Sequence, residues 1–143
     1  MTLEDDLIRD LLGRVRTIAV VGFSANPVRP SHGVARYLRS VGYRVIPVNP
    51  GLAGQCFLGE NVRASLAEIG EPVAMVDVFR RSGEVAALAD DAIALSPSPL
   101  VFWTQLGVRD DTAAEKLRAH GIDVVQDRCP AIEIPRLGIR TPA

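Results

Sequence analysis

The segment Gly22-Phe23-Ser24-Ala25-Asn26-Pro27-Val28-Arg29-Pro30-Ser31-His32-Gly33 gathers two hydroxyl groups, a guanidinium and a run of backbone N–H groups. That combination suits anions. Ser24 and Ser31 can donate hydrogen bonds to phosphate oxygens, and Arg29 brings a permanent charge with a two-pronged donor. Loop amides backed by a helix N-terminus would add an anion site of the kind that holds phosphate. An ordinary strand-to-helix turn, with Ser31 as a cap, accounts for the same residues equally well.

The other chemically capable residues do not assemble a catalytic set. His32 is expected to cover the helix start at the surface, and His120 precedes Gly121 at a helix C-terminus, where the macrodipole favours a cation. Asp77 lies inside the apolar run 73–79 and is expected to accept hydrogen bonds from neighbouring backbone N–H groups rather than act as a base. The pairs Asp5-Asp6, Asp90-Asp91 and Asp110-Asp111 fit helix starts and solvated faces. Cys56 and Cys129 have no CxxC or Cys/His spacing, which argues against a disulfide framework and a zinc site. Cys129 is expected to be a small buried hydrophobe; exchange with a bound ligand disulfide is the alternative. Of the pair Arg80-Arg81, only Arg80 is assigned a ligand role.

These residues must be positioned by a scaffold, and the hydrophobic pattern supplies one. Leu3, Leu7, Ile8, Leu11, Leu12 and Val15 recur at helical spacing behind a Thr2 cap. Thr17 to Val21 is a β-branched run ending at Gly22, as expected of a strand covered on both faces. Val34, Tyr37, Leu38 and Val41 form a second helical stripe that stops at Gly42. Further strands are predicted at 43–48, 73–79, 100–103 and 122–125, with a short edge strand at 55–58. Helices are predicted around Val85 to Ala92 and Ala114 to Leu117, and Ser65-Leu66-Ala67-Glu68 reads as a capping box. Trp103 and Phe102 read as core or as ligand wall. The alternation predicts an α/β fold: a single doubly wound, Rossmann-type parallel sheet, strand order 3-2-1-4-5-6, preceded by an N-terminal helix.

Open parallel sheets bind ligands at the carboxyl ends of their strands, so the strand exits carry the functional information. A nicotinamide dinucleotide site calls for GxGxxG at the first exit and an acid about 20 residues later for the ribose. Here the first exit reads Gly22-x-Ser24-x-x-Pro27, and Asn49-Pro50 stands where the acid is expected.

Taken in order, Val21-Gly22-x-Ser24-x-x-Pro27-x-Arg29, Tyr37-Leu38, Gly42-Tyr43-x-Val45 and Pro47-Val48-Asn49-Pro50 resemble the small CoA-binding domain proteins. Gly54, Ser65-Leu66, Val76-Asp77-Val78-Phe79-Arg80, Trp103-x-Gln105-x-Gly107-Val108 and Asp127-Arg128-Cys129 continue the resemblance over roughly residues 14 to 137. That family is similar in fold to the CoA-binding domain of the succinyl-CoA synthetase α subunit. The resemblance implies coenzyme A lying across the strand exits. Gly22, Ser24 and Arg29 would contact its phosphates, and Asn49 and Pro50 would lie near the ribose and 3′-phosphate, with Phe23, Ala25, Asn26, Ser31 and Val48 as further candidate binding residues in the same two exits. Phe79 and Arg80 would lie on the adenine side, and Gln105, Leu106 and Gly107 beside the pantetheine arm. In the synthetase the catalytic phosphohistidine lies on a second domain, which has no counterpart in this sequence.

Composition narrows the partners. A formal net charge of -1 argues against a general nucleic-acid or membrane-surface protein. With 48% hydrophobic and 23% charged residues the chain can bury a core, and 143 residues suit one domain. The acidic opening Glu4-Asp5-Asp6 is unlike a signal peptide, and no apolar run reaches membrane-spanning length, so the cytoplasm is the expected setting. The reading is a non-catalytic module for coenzyme A or an acyl-CoA, with a protein partner left open. The alternatives are a nicotinamide-dependent oxidoreductase, an acyl-CoA ligase subunit that needs a partner chain, or an interaction protein with an empty site.

Overall fold

In the computed structural model, which describes residues 2–143, the β-branched and apolar runs form five parallel strands. They are β1 (Thr17–Val21), β2 (Arg44–Val48), β5 (Met75–Val78), β6 (Val101–Thr104) and β7 (Asp123–Val125), in the order β2-β1-β5-β6-β7. Every one of these pairings is parallel. The sequence order reverses beside β1, whose neighbours are β2 on one side and β5 on the other.

Side chains alternate between two cores, as strand geometry requires. Ile18, Val20, Met75, Val101 and Trp103 face one core with helices α1 (Leu3–Arg14), α2 (Pro30–Ser40) and α5 (Pro130–Leu137). Ala19, Val21, Val76, Val78 and Phe102 face the other, with α3 (Val85–Ile93) and α4 (Asp111–Ala119). Thr2 caps α1 in a reciprocal box with Asp5. Tyr43 is buried in the first core, its hydroxyl donating to Leu12 O at 2.6 Å, and burial pushes its pKa up to about 12.

The expected order 3-2-1-4-5-6 holds for five strands and fails at the proposed edge. Cys56–Phe57 (β3) does not extend the sheet; it pairs antiparallel with Glu60–Asn61 (β4) as a separate hairpin. The cause lies in its turn, where Leu58 (φ 56) and Gly59 (φ 73) both take the left-handed conformation that reverses the chain. β2 is therefore the sheet edge, where Pro47 can lack an N–H without loss of an inner ladder bond. Two further expectations change. Ser65 makes no side-chain cap, and Leu66–Glu68 is a single 3₁₀ turn. The C-terminal segment, to which the periodicity assigned no element, is helix α5: Pro130 fits its first turn, and the helix tolerates Pro135.

Glu133 of α5, almost fully buried, accepts from Arg128 and Arg136, and Arg136 also donates to Asp5 of α1 at 2.6 Å. Arg128 completes the lock through Glu4. No helix among the described residues is long and apolar enough to cross a membrane.

Candidate ligand-binding site

The strand exits enclose a cavity of about 670 Å³. The β1 exit contributes Gly22, Phe23, Ser24, Arg29 and Ser31, and β2 contributes Asn49. Phe79 and Arg80 follow β5, and Gln105, Leu106 and Gly107 follow β6. Val48 and Pro50 instead line an adjoining cavity of about 400 Å³, which shares Gly22 and Arg80 with the first. Ala25 and Asn26 line neither; Asn26 works within the loop, its Oδ1 accepting from Val28 N at 3.1 Å.

The first loop is held by its own polar groups. Gly22 N and Phe23 N both donate to Val48 O, Ser24 N donates to Ser31 Oγ at 3.0 Å, and Asn26 N donates to Ser24 Oγ at 3.1 Å. These four amides are thus engaged in shaping the loop. Ser31 does not cap α2; it braces Ser24 from within the helix. Asn49 clamps the same loop, with Nδ2 donating to Phe23 O at 2.8 Å and Oδ1 accepting from Gly51 N. Arg29 remains exposed at the α2 N-cap, and its guanidinium has no hydrogen bond or ion pair among the described residues.

His32 is a correction. It is buried, its ring stacks on Phe23 with centroids 5.6 Å apart, and Nδ1 lies 2.9 Å from Ser24 O. Since a carbonyl only accepts, Nδ1 carries the proton and the ring is a brace beneath the loop. A histidine in a Pro-, Ser- and Gly-rich stretch offers no sequence signal that the helix turns it inward.

Arg80 donates to Glu84 at 2.5 Å, and this bond holds the Glu84 carboxyl below its usual range. An anion at Arg80 must therefore share that guanidinium with Glu84. Arg81, set aside in the sequence as a solvated turn, also lines the cavity and is almost wholly exposed, as do Pro30, Ser82 and Val108. Ser82 Oγ accepts from Arg109 N at 2.9 Å and so ties the β5 exit to the β6 exit. Asp127 fixes the floor turn, accepting from Gly107 N at 2.6 Å.

Asp77 is the second correction. Its carboxylate is fully buried in the middle strand, and neither oxygen has a hydrogen-bond partner. The neighbouring N–H groups expected to bond it are occupied in the parallel ladders with β1 and β6. Burial alone raises its pKa well above the usual carboxylate value. Cys129 is buried before α5, and Cys56 is exposed.

The arrangement can bind and orient an anionic, two-armed ligand. Among the described residues no cluster of His, Cys, Asp or Glu could hold a metal ion.

Comparison with known proteins finds relatives of similar length, a shared fold and one matching family. The chain is 38% identical over 122 residues to the uncharacterized protein YneT of Bacillus subtilis, covering 85% of this chain and 87% of that one. A solved Thermus thermophilus protein, cell-free ID.343, superposes with a TM-score of 0.88 at 42% identity, covering 96% and 99% of the two chains. The dinucleotide-forming acetyl-coenzyme A synthetase 1 of Ca. Korarchaeum cryptofilum shares the fold, with a TM-score of 0.66 at 18% identity. That match takes in 82% of this chain and 27% of the synthetase. Residues 16–135 match the CoA binding domain family, and the chain belongs to that family.

Proposed function

We propose that this protein binds coenzyme A or an acyl-CoA at the C-terminal edge of its sheet and performs no chemistry on it alone. The observation that carries the reading is the pair of cavities that meet at Gly22 and Arg80. Coenzyme A is a long molecule with a nucleoside at one end, a pantetheine arm at the other and phosphates between. Two adjoining cavities with Arg80 at their junction, and Arg29 and Arg81 in the lining of the larger, suit that shape. The second cavity, with Val21, Val48, Leu66, Ala87 and Leu88 in its lining, offers apolar surface for a planar base. Arg29 and Arg81, both exposed at the larger cavity, are available to phosphates. Membership of the CoA binding domain family supports the same ligand.

The reading places the protein in the cytoplasm, with a small-molecule ligand and neither nucleic acid nor membrane as partner. Any acyl-transfer chemistry would come from a partner chain. Native mass spectrometry of the purified protein tests this. A bound mass equal to coenzyme A or an acyl-CoA is expected. A bound nicotinamide dinucleotide, or a protein that stays unliganded after incubation with coenzyme A, would overturn it.

A further inference from the structure

Three buried side-chain atoms among the described residues have no hydrogen-bond partner: Asp77 Oδ1, Asp77 Oδ2 and Gln105 Oε1. Asp77 lies in β5, and Gln105 is the residue that follows the neighbouring strand β6. Asp77 pairs in register with Trp103, and Gln105 N donates to Val78 O at 3.1 Å, so the β5–β6 ladder continues through Gln105. Val76 and Val78 face the α3/α4 core while Met75 and Trp103 face the other, which puts Asp77 and Gln105 on the same side of the sheet. They are diagonal neighbours, a spacing that long side chains span. Gln105 lines the cavity and Asp77 lies one step below it, beneath the floor made by Gly22, Phe79 and Gln105.

An ionised Asp77 would leave a full charge and three acceptors buried with no donor, at a large desolvation penalty. A neutral Asp77 has one O–H to give, and Gln105 Oε1 is the one other buried side-chain acceptor in need of it among the described residues. We propose that Asp77 is kept as the neutral acid and its O–H donates a hydrogen bond to Gln105 Oε1, which fixes the Gln105 amide with its N–H groups turned into the cavity. Asp77 is then a positioning residue, and Gln105 a donor for a ligand carbonyl. On the coenzyme A reading, on which this last identification rests, the carbonyl is one of the pantetheine amides.

No nearby charge supplies another explanation for the acid's state. The strand neighbours Val20, Trp103, Met75 and Phe79 do not ionise in the ordinary range. On the helices over this face, His32 is bonded to Ser24 O, Glu133 to Arg128 and Arg136, and Asp5 to Arg136, while Tyr43 lies in the same core. Burial is the one cause that acts on Asp77.

Two measurements test the pair. In wild-type protein labelled at the aspartate carboxyl carbon, the Asp77 signal should keep the shift of a protonated acid from about pH 5 to about pH 8. A signal that titrates in the usual carboxylate range overturns the proposal whether or not coenzyme A binds. In the second, Asp77→Asn retains a donor of the same shape and should bind coenzyme A within about threefold of wild type. Asp77→Leu removes the donor while filling the space, and should bind about tenfold more weakly at an unchanged or higher melting temperature. Wild-type affinity in Asp77→Leu, or equal losses in both variants, contradicts the positioning role. A wild-type protein that ignores coenzyme A defeats the ligand assignment alone, and the carboxyl signal still decides the pair.

Discussion

The backbone at Gly22 passes so close to Phe79 that a Cβ on residue 22 would stand 2.8 Å from the Phe79 carbonyl oxygen and 2.9 Å from Arg80 Cδ. Gly22 also has φ +85, a conformation that other residues adopt only under strain. This contact brings the β1 and β5 exits together at the wall between the two cavities. Gly22→Ala should lower stability by about 1–3 kcal/mol, from overpacking against backbone. Urea denaturation reads this directly, and the same variant should lose affinity for coenzyme A because the wall must shift. A variant with wild-type stability would show that the close approach relaxes freely.

Arg29 offers the converse case. Its exposed guanidinium has no partner among the described residues, so Arg29→Ala should change stability by no more than about 0.5 kcal/mol. Its loss should weaken coenzyme A binding by about 1.5–3 kcal/mol if it makes a charge-assisted bond to phosphate. Calorimetric titration of the variant checks both the affinity and its independence from folding. Unchanged affinity would return Arg29 to the solvated surface.

The contrast between these residues and His32 shows what the sequence could convey. Runs such as Thr17 to Val21 and Val73 to Phe79 revealed the strands because burial on both faces demands continuous apolar chain. The exits followed, and with them Gly22, Asn49, Arg80 and Gln105. Periodicity does not say which carbonyl a polar side chain will meet. His32 bracing Ser24 O, Asn49 clamping Phe23 O and Arg80 engaged by Glu84 all depend on tertiary approach. The β3–β4 hairpin was hidden for a different reason: its turn places Leu58, a residue without the usual signature, at positive φ. Pro130 and Pro135 likewise masked α5, since both read as breakers when neighbours are ignored.

Acid should unlock α1 from α5. The hydrogen bond from Arg136, aided by the Thr2 backbone, lowers the Asp5 pKa to about 2 from its ordinary 3.8. As pH falls through about 4 the unfolded chain takes up a proton that the native state still refuses, so stability declines until native Asp5 titrates near 2. Melting temperatures measured across this window should fall less steeply in Asp5→Asn than in wild type. Equal slopes would remove Asp5 from the acid response.

Asp77 acts with the opposite sign. Its native pKa is raised, so as pH climbs above the ordinary carboxylate value the unfolded chain releases a proton that the native state keeps. Wild type should lose stability over that range while Asp77→Asn does not, and the difference in melting temperature between them should grow with pH. A difference that stays constant would mean that Asp77 ionises normally in the fold.

The central claim is ligand identity, and parallel calorimetric titrations of the wild-type protein with coenzyme A, NAD and NADP test it most directly. The first exit lacks GxGxxG, and Asn49-Pro50 replaces the ribose-binding acid. The adjoining cavities at Gly22 and Arg80 suit a longer ligand than a mononucleotide. Coenzyme A should therefore bind with measurable heat and more tightly than either dinucleotide. NAD or NADP binding as tightly as coenzyme A, or no binding of coenzyme A at all, would contradict the account.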